Sequence, residues 1–425
     1  MVGRKTSERG RAEWRGGADI RILAGLLGLA PALAARSGPP PPPEGRAGPG
    51  LAIHGAKILT VDDADRILDG GTVLVRGGKI EYVGERIAPP EGYEVIDLPG
   101  AWVHPGLIDI HSHIVGTGDI NDMVMPVNPE LSIRPSYRPS NPEMRLACAA
   151  GVTLIFGIPG SGTSIGGFGG LYKTKTDARY EETEYRDPGG MKSAFNFNPQ
   201  RQMGDLGTSA CGMAWTVERV NDRALAARRA GRDDPALRNL IRVLEKDLPV
   251  LVHCASGEGV AGTVRLWKLG YDTACIVSHG DWDGHRVGYY PAQHGVPVNH
   301  GPRIMNFTTM VREEKIVGTS QSFVAQGVPN FSLHTDAPVI PQEELFLQGA
   351  MSARLGADSY QMLRAITANT AKTFRIYDRV GSLEPGKDAD IVISTGDPLD
   401  PRSRVEHVLI DGELQYSRLR DGQWF

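Results

Sequence analysis

Short apolar runs separated by turn residues recur along the chain from residue 51 onwards. Near both ends of the chain these runs have strand length and polar flanks: Ile53–Leu59, Thr72–Arg76, Lys79–Val83 and Val95–Leu98, then Asp390–Ser394, His407–Ile410 and Glu413–Tyr416. Gly77-Gly78 and Asp411-Gly412 are typical of hairpin turns. Because the two ends of a domain usually lie close together at its surface, we predict one small β-sandwich built from residues 51–104 and 378–425.

Between these segments, strand-like and helical stretches alternate over residues 105–377. This length is close to the ~250 residues that a (β/α)8 barrel typically needs. Val152–Phe156 has the composition of a buried strand. Asp358 or Ser359 is expected to cap a helix whose apolar Leu363 and Ile366 face the barrel. The sequence therefore predicts an α/β fold, a (β/α)8 TIM barrel with a composite β-sandwich.

Residues 1–50 have a different composition. A polar, arginine-rich segment precedes an apolar run at 22–35 that ends in small residues, which is the pattern of a secretory signal. A linker rich in proline and glycine follows. We expect export to the periplasm or the extracellular space; a cytoplasmic enzyme with a disordered tail is the alternative. The apolar run is too short for a comfortable membrane span, so no stable span is expected after processing.

Charge and cysteine content restrict the partners. The formal net charge is −4, so nothing suggests a nucleic-acid surface and a small-molecule substrate is expected. The four cysteines lack the paired spacing of a zinc finger and are too few for a disulfide framework. Cys254 and Cys275 are expected to be buried thiols. A homodimer would suit an enzyme of this size.

Five polar residues occupy the ends of apolar strands in a set order. His111 and His113 are one residue apart, so they should project from the same face of a strand. Two imidazoles on one face can bind one divalent metal ion. His253, His279 and Asp336 follow at the ends of later strands. Because barrel active sites gather at the carboxyl ends of the strands, we predict that all five meet there.

This ordered set, with the flanking segment Pro105–Asp109, resembles the metal-dependent amidohydrolase superfamily. The likeness extends from about Ile53 to the C-terminus and is greatest to the imidazolonepropionase-related group, which includes enzymes acting on Xaa-Pro dipeptides. It implies five metal-binding residues: His111, His113, His253, His279 and Asp336. It also implies catalytic roles for Asp336, which would accept a proton from the metal-activated water, and for His279, which would steady the developing charge. Nitrogen and oxygen ligands favour Zn²⁺, with Fe, Mn or Ni as alternatives.

The number of ions depends on a bridging residue from an earlier strand. Relatives carry a glutamate before an Asn-Pro pair, and this chain has Phe197 there, which cannot bind metal. Lys192 could bridge as a carbamate, but we expect it near the start of its strand, away from the site. One ion is therefore favoured over two. In a one-metal site His279 would contact substrate or water instead of a second ion.

Other residues carry weaker predictions. His334 either supports Asp336 or fills the barrel interior, and Arg303 is a candidate clamp for a substrate carboxylate. The glycine-rich run 159–170 is expected to be a loop that lines the pocket or lies free on the surface. Three cations that could meet an anionic substrate, or simply be solvated, are Lys173, Lys175 and Arg179. Three histidines expected on the surface or in loops are His285, His294 and His300.

The predicted function is metal-dependent hydrolysis of a non-peptide or dipeptide C–N bond in a small substrate. A deaminase is the nearest alternative, although Ser256 occupies the position where those enzymes carry a glutamate, and the nearest acid is Glu258. Phosphotriester hydrolysis is a second alternative, because fold does not fix the substrate. A non-catalytic binding or scaffold protein on the same fold is a third.

Overall fold

The computed structural model describes residues 50–116, 121–139, 141–201, 206–302 and 318–424. The predicted signal segment and its linker, apart from Gly50, lie outside these residues, as does Arg303, so export and the carboxylate clamp stay predictions. No helix within the described ranges has both the length and the apolar character needed to cross a membrane.

The centre of the molecule is an eight-stranded sheet that is nearly closed into a barrel. Its strands, in both chain order and spatial order, are β8 (Leu107–Ser112), β9 (Val152–Gly157), β10 (Ile165–Lys173), β11 (Glu184–Ala194), β12 (Val250–Cys254), β13 (Cys275–His279), β14 (Val298–His300) and β15 (Ser332–Leu333). The last strand meets the first through a hydrogen bond from His113 N–H to Ala337 O at 2.8 Å. The predicted α/β barrel is confirmed.

One strand runs against the others. Strand β10 pairs antiparallel with both β9 and β11, whereas the remaining neighbours in the sheet are parallel. The glycine-rich run 159–170 was expected to be a loop, and this is wrong for its second half, which forms β10. Its glycines permit close packing: a Cβ on Gly169 would lie 2.2 Å from Gly157 O, so the two strands could not approach with a side chain there.

Helices surround the barrel. The α-helices are α1 (Pro142–Ala149), α2 (Tyr180–Thr183), α3 (Ala210–Arg229), α4 (Arg238–Leu244), α5 (Gly257–Thr263), α6 (Tyr289–Gln293), α7 (Thr319–Ala325), α8 (Leu345–Arg354), α9 (Ser359–Ala365), α10 (Ala368–Thr373) and α11 (Arg418–Asp421). A π-helical segment, Val264–Gly270, continues α5, and single 3₁₀ turns occur at Arg134–Ser136, Pro199–Arg201, Gly284–Val287 and Gln342–Glu344. The largest apolar cluster joins strand residues such as Val252 to helix residues such as Leu240 and Met213.

The predicted cap of α9 is confirmed. The side chain of Asp358 accepts a hydrogen bond from Gln361 N–H at 2.9 Å, as an N-cap does. Leu363 and Ile366 are both buried in the cluster between helices and strands. The polar N-cap and the spacing of the apolar residues are therefore local signals that suffice to predict this helix.

Two further sheets lie outside the barrel, the first built from strands near the start of the described chain and the second from strands near both ends. One has the order β5-β4-β1-β6 and the other β18-β17-β16-β7-β2-β3. Their strands are β1 (Gly50–His54), β2 (Lys57–Leu59), β3 (Ile67–Leu68), β4 (Thr72–Arg76), β5 (Lys79–Gly84), β6 (Tyr93–Asp97), β7 (Trp102–Pro105), β16 (Ile391–Ser394), β17 (Val405–Ile410) and β18 (Glu413–Ser417). Ile53, Val73 and Val103 share one core with Ile391 and Ile393. This shared core explains why the distant segments fold together.

A buried ionic cluster connects the barrel sheet to the C-terminal strands. Lys173 Nζ, at the end of β10, lies 2.5 Å from Asp390 Oδ2, 3.3 Å from Asp388 Oδ2 and 3.2 Å from Asp411 Oδ1. Lys175 Nζ lies 2.9 Å from Asp411 Oδ2. Although burial acts to lower it, the pKa of Lys173 is raised by the surrounding carboxylates. Lys173 and Lys175 are therefore structural cations, and they match neither of the two alternatives considered for them, contact with an anionic substrate or simple solvation.

Candidate metal centre and active-site cleft

Five strand ends converge on one buried group of side chains. His111 and His113 follow from β8, Lys192 from β11, His253 from β12 and His279 from β13. His334 and Asp336 lie one and three residues beyond the end of β15, and they complete the group. The structure thus brings together the five residues of the predicted set, and it adds Lys192 and His334.

His111, His113 and Asp336 meet at one carboxylate oxygen. Asp336 Oδ1 lies 3.1 Å from Nε2 of His111 and 3.1 Å from Nε2 of His113. Burial acts to raise the pKa of Asp336, but its contacts with His111 and His113 hold it well below its ordinary value. Asp336 therefore carries a negative charge in the middle of a buried cluster.

Contacts at Nδ1 fix the orientation of the His113 and His279 rings. His113 Nδ1 lies 3.0 Å from Ile158 O, and His279 Nδ1 lies 2.7 Å from Gly301 O. A carbonyl oxygen only accepts, so each Nδ1 carries a proton, and Nε2 is the nitrogen that can offer a lone pair to a metal. This is the arrangement in which a histidine binds metal while its second nitrogen is held by the protein.

Three imidazoles of the cluster have buried ring nitrogens without hydrogen-bond partners among the described residues. Within the described residues, both ring nitrogens of His253 and of His334, and Nε2 of His279, are buried without a partner. The ring centroids of His253 and His279 are 4.1 Å apart, and His334 stacks on His111 at 4.6 Å. Burial lowers the pKa of His279 to about 4 and those of His253 and His334 well below the ordinary value. These rings are neutral, and their lone pairs are available to a metal.

Lys192 lies at the centre of this group. Its Nζ is 2.8 Å from His111 Nε2, and the residue is two positions before the end of β11. Burial lowers the pKa of Lys192 to about 7. The expectation that Lys192 sits at the far end of its strand is wrong, because β11 ends at Ala194. Asn196 and Phe197 then take positive φ values of 67° and 57°, which no regular strand continues through.

Asp109 positions the first and last strands, and sequence reasoning missed it. Its Oδ1 accepts from His111 N–H at 2.8 Å, and its Oδ2 accepts from Thr335 N–H at 2.9 Å, from Thr335 Oγ1 at 2.7 Å and from Gln342 Nε2 at 2.7 Å. Burial raises the pKa of Asp109 to about 6. Its place two residues before His111 was the available signal, since an acid inside an apolar strand needs donors.

The backbone is strained at two members of the cluster. His279 has φ of 80° and Asp336 has φ of 54°, although neither is a glycine. Such conformations typically cost ~1–3 kcal/mol each and are retained where the surrounding structure holds them. His300 contributes to holding His279, because His300 Nδ1 lies 2.8 Å from His279 O. The positive φ of His279 turns the backbone at the end of β13.

A cleft of about 160 Å³ opens above the cluster. Its floor includes His253, His279 and Asp336, and its walls include Phe197, Trp282, Val339 and Pro302. The rings of Phe197 and Trp282 pack edge to face with centroids 4.4 Å apart. Asp281 also lines the cleft, and burial together with the charge of Asp336 raises its pKa to about 7.

The remaining predicted residues lie elsewhere. His285 and His300 are buried, so the surface alternative is wrong for both; His285 lies in the 3₁₀ turn after β13 and His300 ends β14, while His294 is partly buried just after α6. Arg179 is exposed and paired with Glu182, so it belongs to the solvated alternative. Cys254 and Cys275 are buried free thiols, as predicted.

Two positions of the deaminase alternative serve other purposes. Ser256 caps α5, accepting from Gly259 N–H at 3.2 Å. Glu258 is exposed on the same helix. Neither residue lines the cleft.

The residues present fit a divalent metal centre. Two groups of ligand atoms lie within 4.8 Å of one another, His111–His113–Asp336 and His111–His279–His334. Two ligands held at ~2.0–2.2 Å from one ion are themselves about 2.8–3.6 Å apart, depending on the angle between them, and the 3.1 Å separations at Asp336 lie within this range. Buried lone pairs facing a carboxylate would repel one another without a cation between them.

Comparisons with known proteins identify the family of this chain. The sequence model of the amidohydrolase family matches residues 292–415. The crystal structure of an amidohydrolase from Thermotoga maritima is 30% identical, with a TM-score of 0.78, over 87% of this chain and 100% of that chain.

Among curated proteins, amidohydrolase tasK of Hapsidospora irregularis is 25% identical over 393 residues, which is 81% of this chain and 40% of that protein. Imidazolonepropionase of Caulobacter vibrioides is 47% identical over 55 residues, which is 12% of this chain and 14% of that protein. The chain therefore spans less than half the length of either curated relative.

Proposed function

Because this chain belongs to the amidohydrolase family, we propose that it is a metal-dependent hydrolase that cleaves a C–N bond in a small substrate. One observation carries the proposal. The neutral, buried lone pairs of His253 and His279 face a charged Asp336 and end in a cleft open to solutes. A buried cluster with these unmatched acceptors is costly unless a cation completes it.

We propose that the centre holds two ions. His111, His113 and Asp336 would hold one, His253 and His279 the other, and Lys192, as a carbamate formed with CO₂, would bridge them. Lys192 is suited to this because it is buried against His111 and its amine has a lowered pKa. One ion was favoured because Lys192 was expected at the far end of its strand. With Lys192 beside His111, that reason no longer applies. The nitrogen and oxygen ligands suit Zn²⁺ best.

Metal ions bound there would supply a water of lowered pKa and polarise the substrate carbonyl. Asp336 would accept the proton of that water and deliver it to the leaving nitrogen, since its Oδ1 already faces the ligand nitrogens. Because Nδ1 of His279 is held by Gly301 O, its Nε2 would be the metal ligand, and His279 would act on the substrate through the ion that it helps to hold. The oxygen of that water would form a new bond to the carbonyl carbon as the C–N bond breaks, and the nitrogen would leave with the proton from Asp336, so that the products are a carboxylic acid and an amine.

The cleft limits the substrate to a small molecule. Its volume of about 160 Å³ suits a dipeptide or a small amide better than an extended polypeptide. Its apolar walls at Phe197, Trp282 and Val339 favour a substrate with an apolar part.

The proposal is tested with Asp336→Asn and with metal removal. We expect Asp336→Asn to lower turnover of small amides and dipeptides by about 10²- to 10⁴-fold, the contribution typical of a general base. Its folded content, measured by circular dichroism, should be unchanged.

Asp358→Asn is the matched control, because asparagine caps a helix as well as aspartate does and Asp358 lies outside the cleft. Chelation should abolish turnover, and reconstitution should restore it. Unchanged activity in Asp336→Asn would refute the mechanism.

A further inference from the structure

Asp281 is an acidic group in the cleft that the hydrolytic mechanism does not use. It follows β13 two residues after His279, and it lines the cleft beside Asp336. Its carboxylate accepts from its own backbone N–H, and no lysine or arginine among the described residues contributes to its electrostatic surroundings. A carboxylate that lines a cleft, and beside which none of the described lysines or arginines lies, is suited to a cation that enters with the substrate.

Two aromatic rings border the same space. Phe197 and Trp282 line the cleft with Asp281, and their edge-to-face contact at 4.4 Å holds both rings at its wall. Ring faces attract ammonium groups, and the attraction is strongest for tryptophan. A carboxylate together with aromatic walls selects a protonated amine over a neutral or anionic group.

We propose that the substrate carries a protonated amine near the hydrolysed C–N bond and that Asp281 binds this amine. The inference rests on the proposed function, because the amine is placed relative to the metal centre in the floor of the cleft. Aminoacyl amides and dipeptides with a free amino terminus have this chemistry. N-acylated compounds of the same shape lack the charge.

The test compares matched substrates on the metal-loaded protein. Each pair consists of an aminoacyl amide with a free amino group and its N-acetyl counterpart. We expect kcat/KM to favour the free amine by at least about 10-fold, and Asp281→Asn to lower kcat/KM for it by about 10- to 100-fold, since hydrogen bonds to charged groups are the strong ones. The N-acetyl compound should change by less than about 3-fold.

Asp283→Asn provides the matched control. Asp283 lies in the same loop, and its Oδ1 accepts from Gly257 N–H at 2.8 Å, a role that an asparagine oxygen keeps. This variant removes the same charge from outside the cleft, so it should retain the preference for the amine. Equal use of both substrates by the parent protein would overturn the inference, as would a preference that survives Asp281→Asn.

A binding measurement separates this inference from the proposed function. Benzylamine and benzyl alcohol are compared by calorimetry on the metal-loaded parent and on Asp281→Asn, with the metal content of both determined. We expect the variant to lose at least about 10-fold in affinity for the amine alone and to keep its metal. A binding difference without hydrolysis of any pair would refute only the proposed function. Loss of metal in the variant would assign Asp281 to the metal centre and overturn the inference.

Discussion

Replacing Lys192 by methionine should stabilise the metal-free protein while it impairs the metal centre. Methionine has nearly the same length and no charge. Lys192 is fully buried, and its Nζ contacts His111. Burial lowers its pKa from 10.5 to about 7 in the folded state. The unfolded chain therefore holds a proton on this amine that the folded chain must release or must bury at a cost.

The size of this effect follows from the shift. One unit of pKa corresponds to about 1.36 kcal/mol, so a shift from 10.5 to about 7 destabilises the fold by about 4 kcal/mol at pH 7 and about 2 kcal/mol at pH 9. Because the folded pKa is depressed, the cost is fully present below pH 7 and vanishes above pH 10.5. The difference in unfolding free energy between Lys192→Met and the parent protein should therefore shrink as the pH rises through this window.

The assay is urea unfolding of both metal-free proteins at pH 7 and pH 9 in buffers freed of CO₂. Lys268→Met is the control, since Lys268 is half-exposed and pairs with Asp272 at the surface; it should change stability by less than about 0.5 kcal/mol. After reconstitution, Lys192→Met should hold fewer ions per chain than the parent. Equal or lower stability of metal-free Lys192→Met at pH 7 would refute the reasoning about the buried amine.

Three further outcomes follow from the cluster and its supports. Asp109→Ala removes the acceptor of four hydrogen bonds, two of them from Thr335 just beyond the last barrel strand, so urea unfolding should show a loss of about 3–5 kcal/mol; a loss below 1 kcal/mol would contradict this role. Lys173→Met leaves buried Asp390 without its cation, and a similar loss of about 3–5 kcal/mol is expected by the same assay. Because burial lowers the pKa of His279 to about 4, the protein should keep its metal on dialysis at pH 5 and lose it as the pH falls towards 4; loss already near pH 6.5 would show that the histidines titrate as exposed groups do.

The fold and the predicted ligand set were accessible from sequence because each depends on local signals. Apolar strands ending in His111, His253 and His279 identify the carboxyl edge of the barrel, and the three rings meet there. Strand Thr72–Arg76 was predicted to the residue, since its alternation and its glycine turn are local features. Ile53–Leu59 was predicted as one strand and is two, because Gly55 takes φ of 75° between them.

What sequence reasoning missed depends on where strands stop and on what lies across the barrel. The position of Lys192 was misjudged because the end of β11 is set by positive φ values at Asn196 and Phe197, which composition does not reveal. The antiparallel course of β10 follows from glycine contacts between strands. The structural role of Lys173 depends on Asp390, which is 217 residues away in the chain, and no local sequence pattern predicts such a partner.

The central claim is that the buried histidines, Asp336 and Lys192 form a centre for two divalent ions. The most direct test is the metal content per chain of the protein purified without chelators and reconstituted with Zn²⁺ and bicarbonate, measured by plasma emission spectroscopy. The account predicts about two ions per chain. About one ion would contradict the bridging role of Lys192, and none would contradict the metal centre itself.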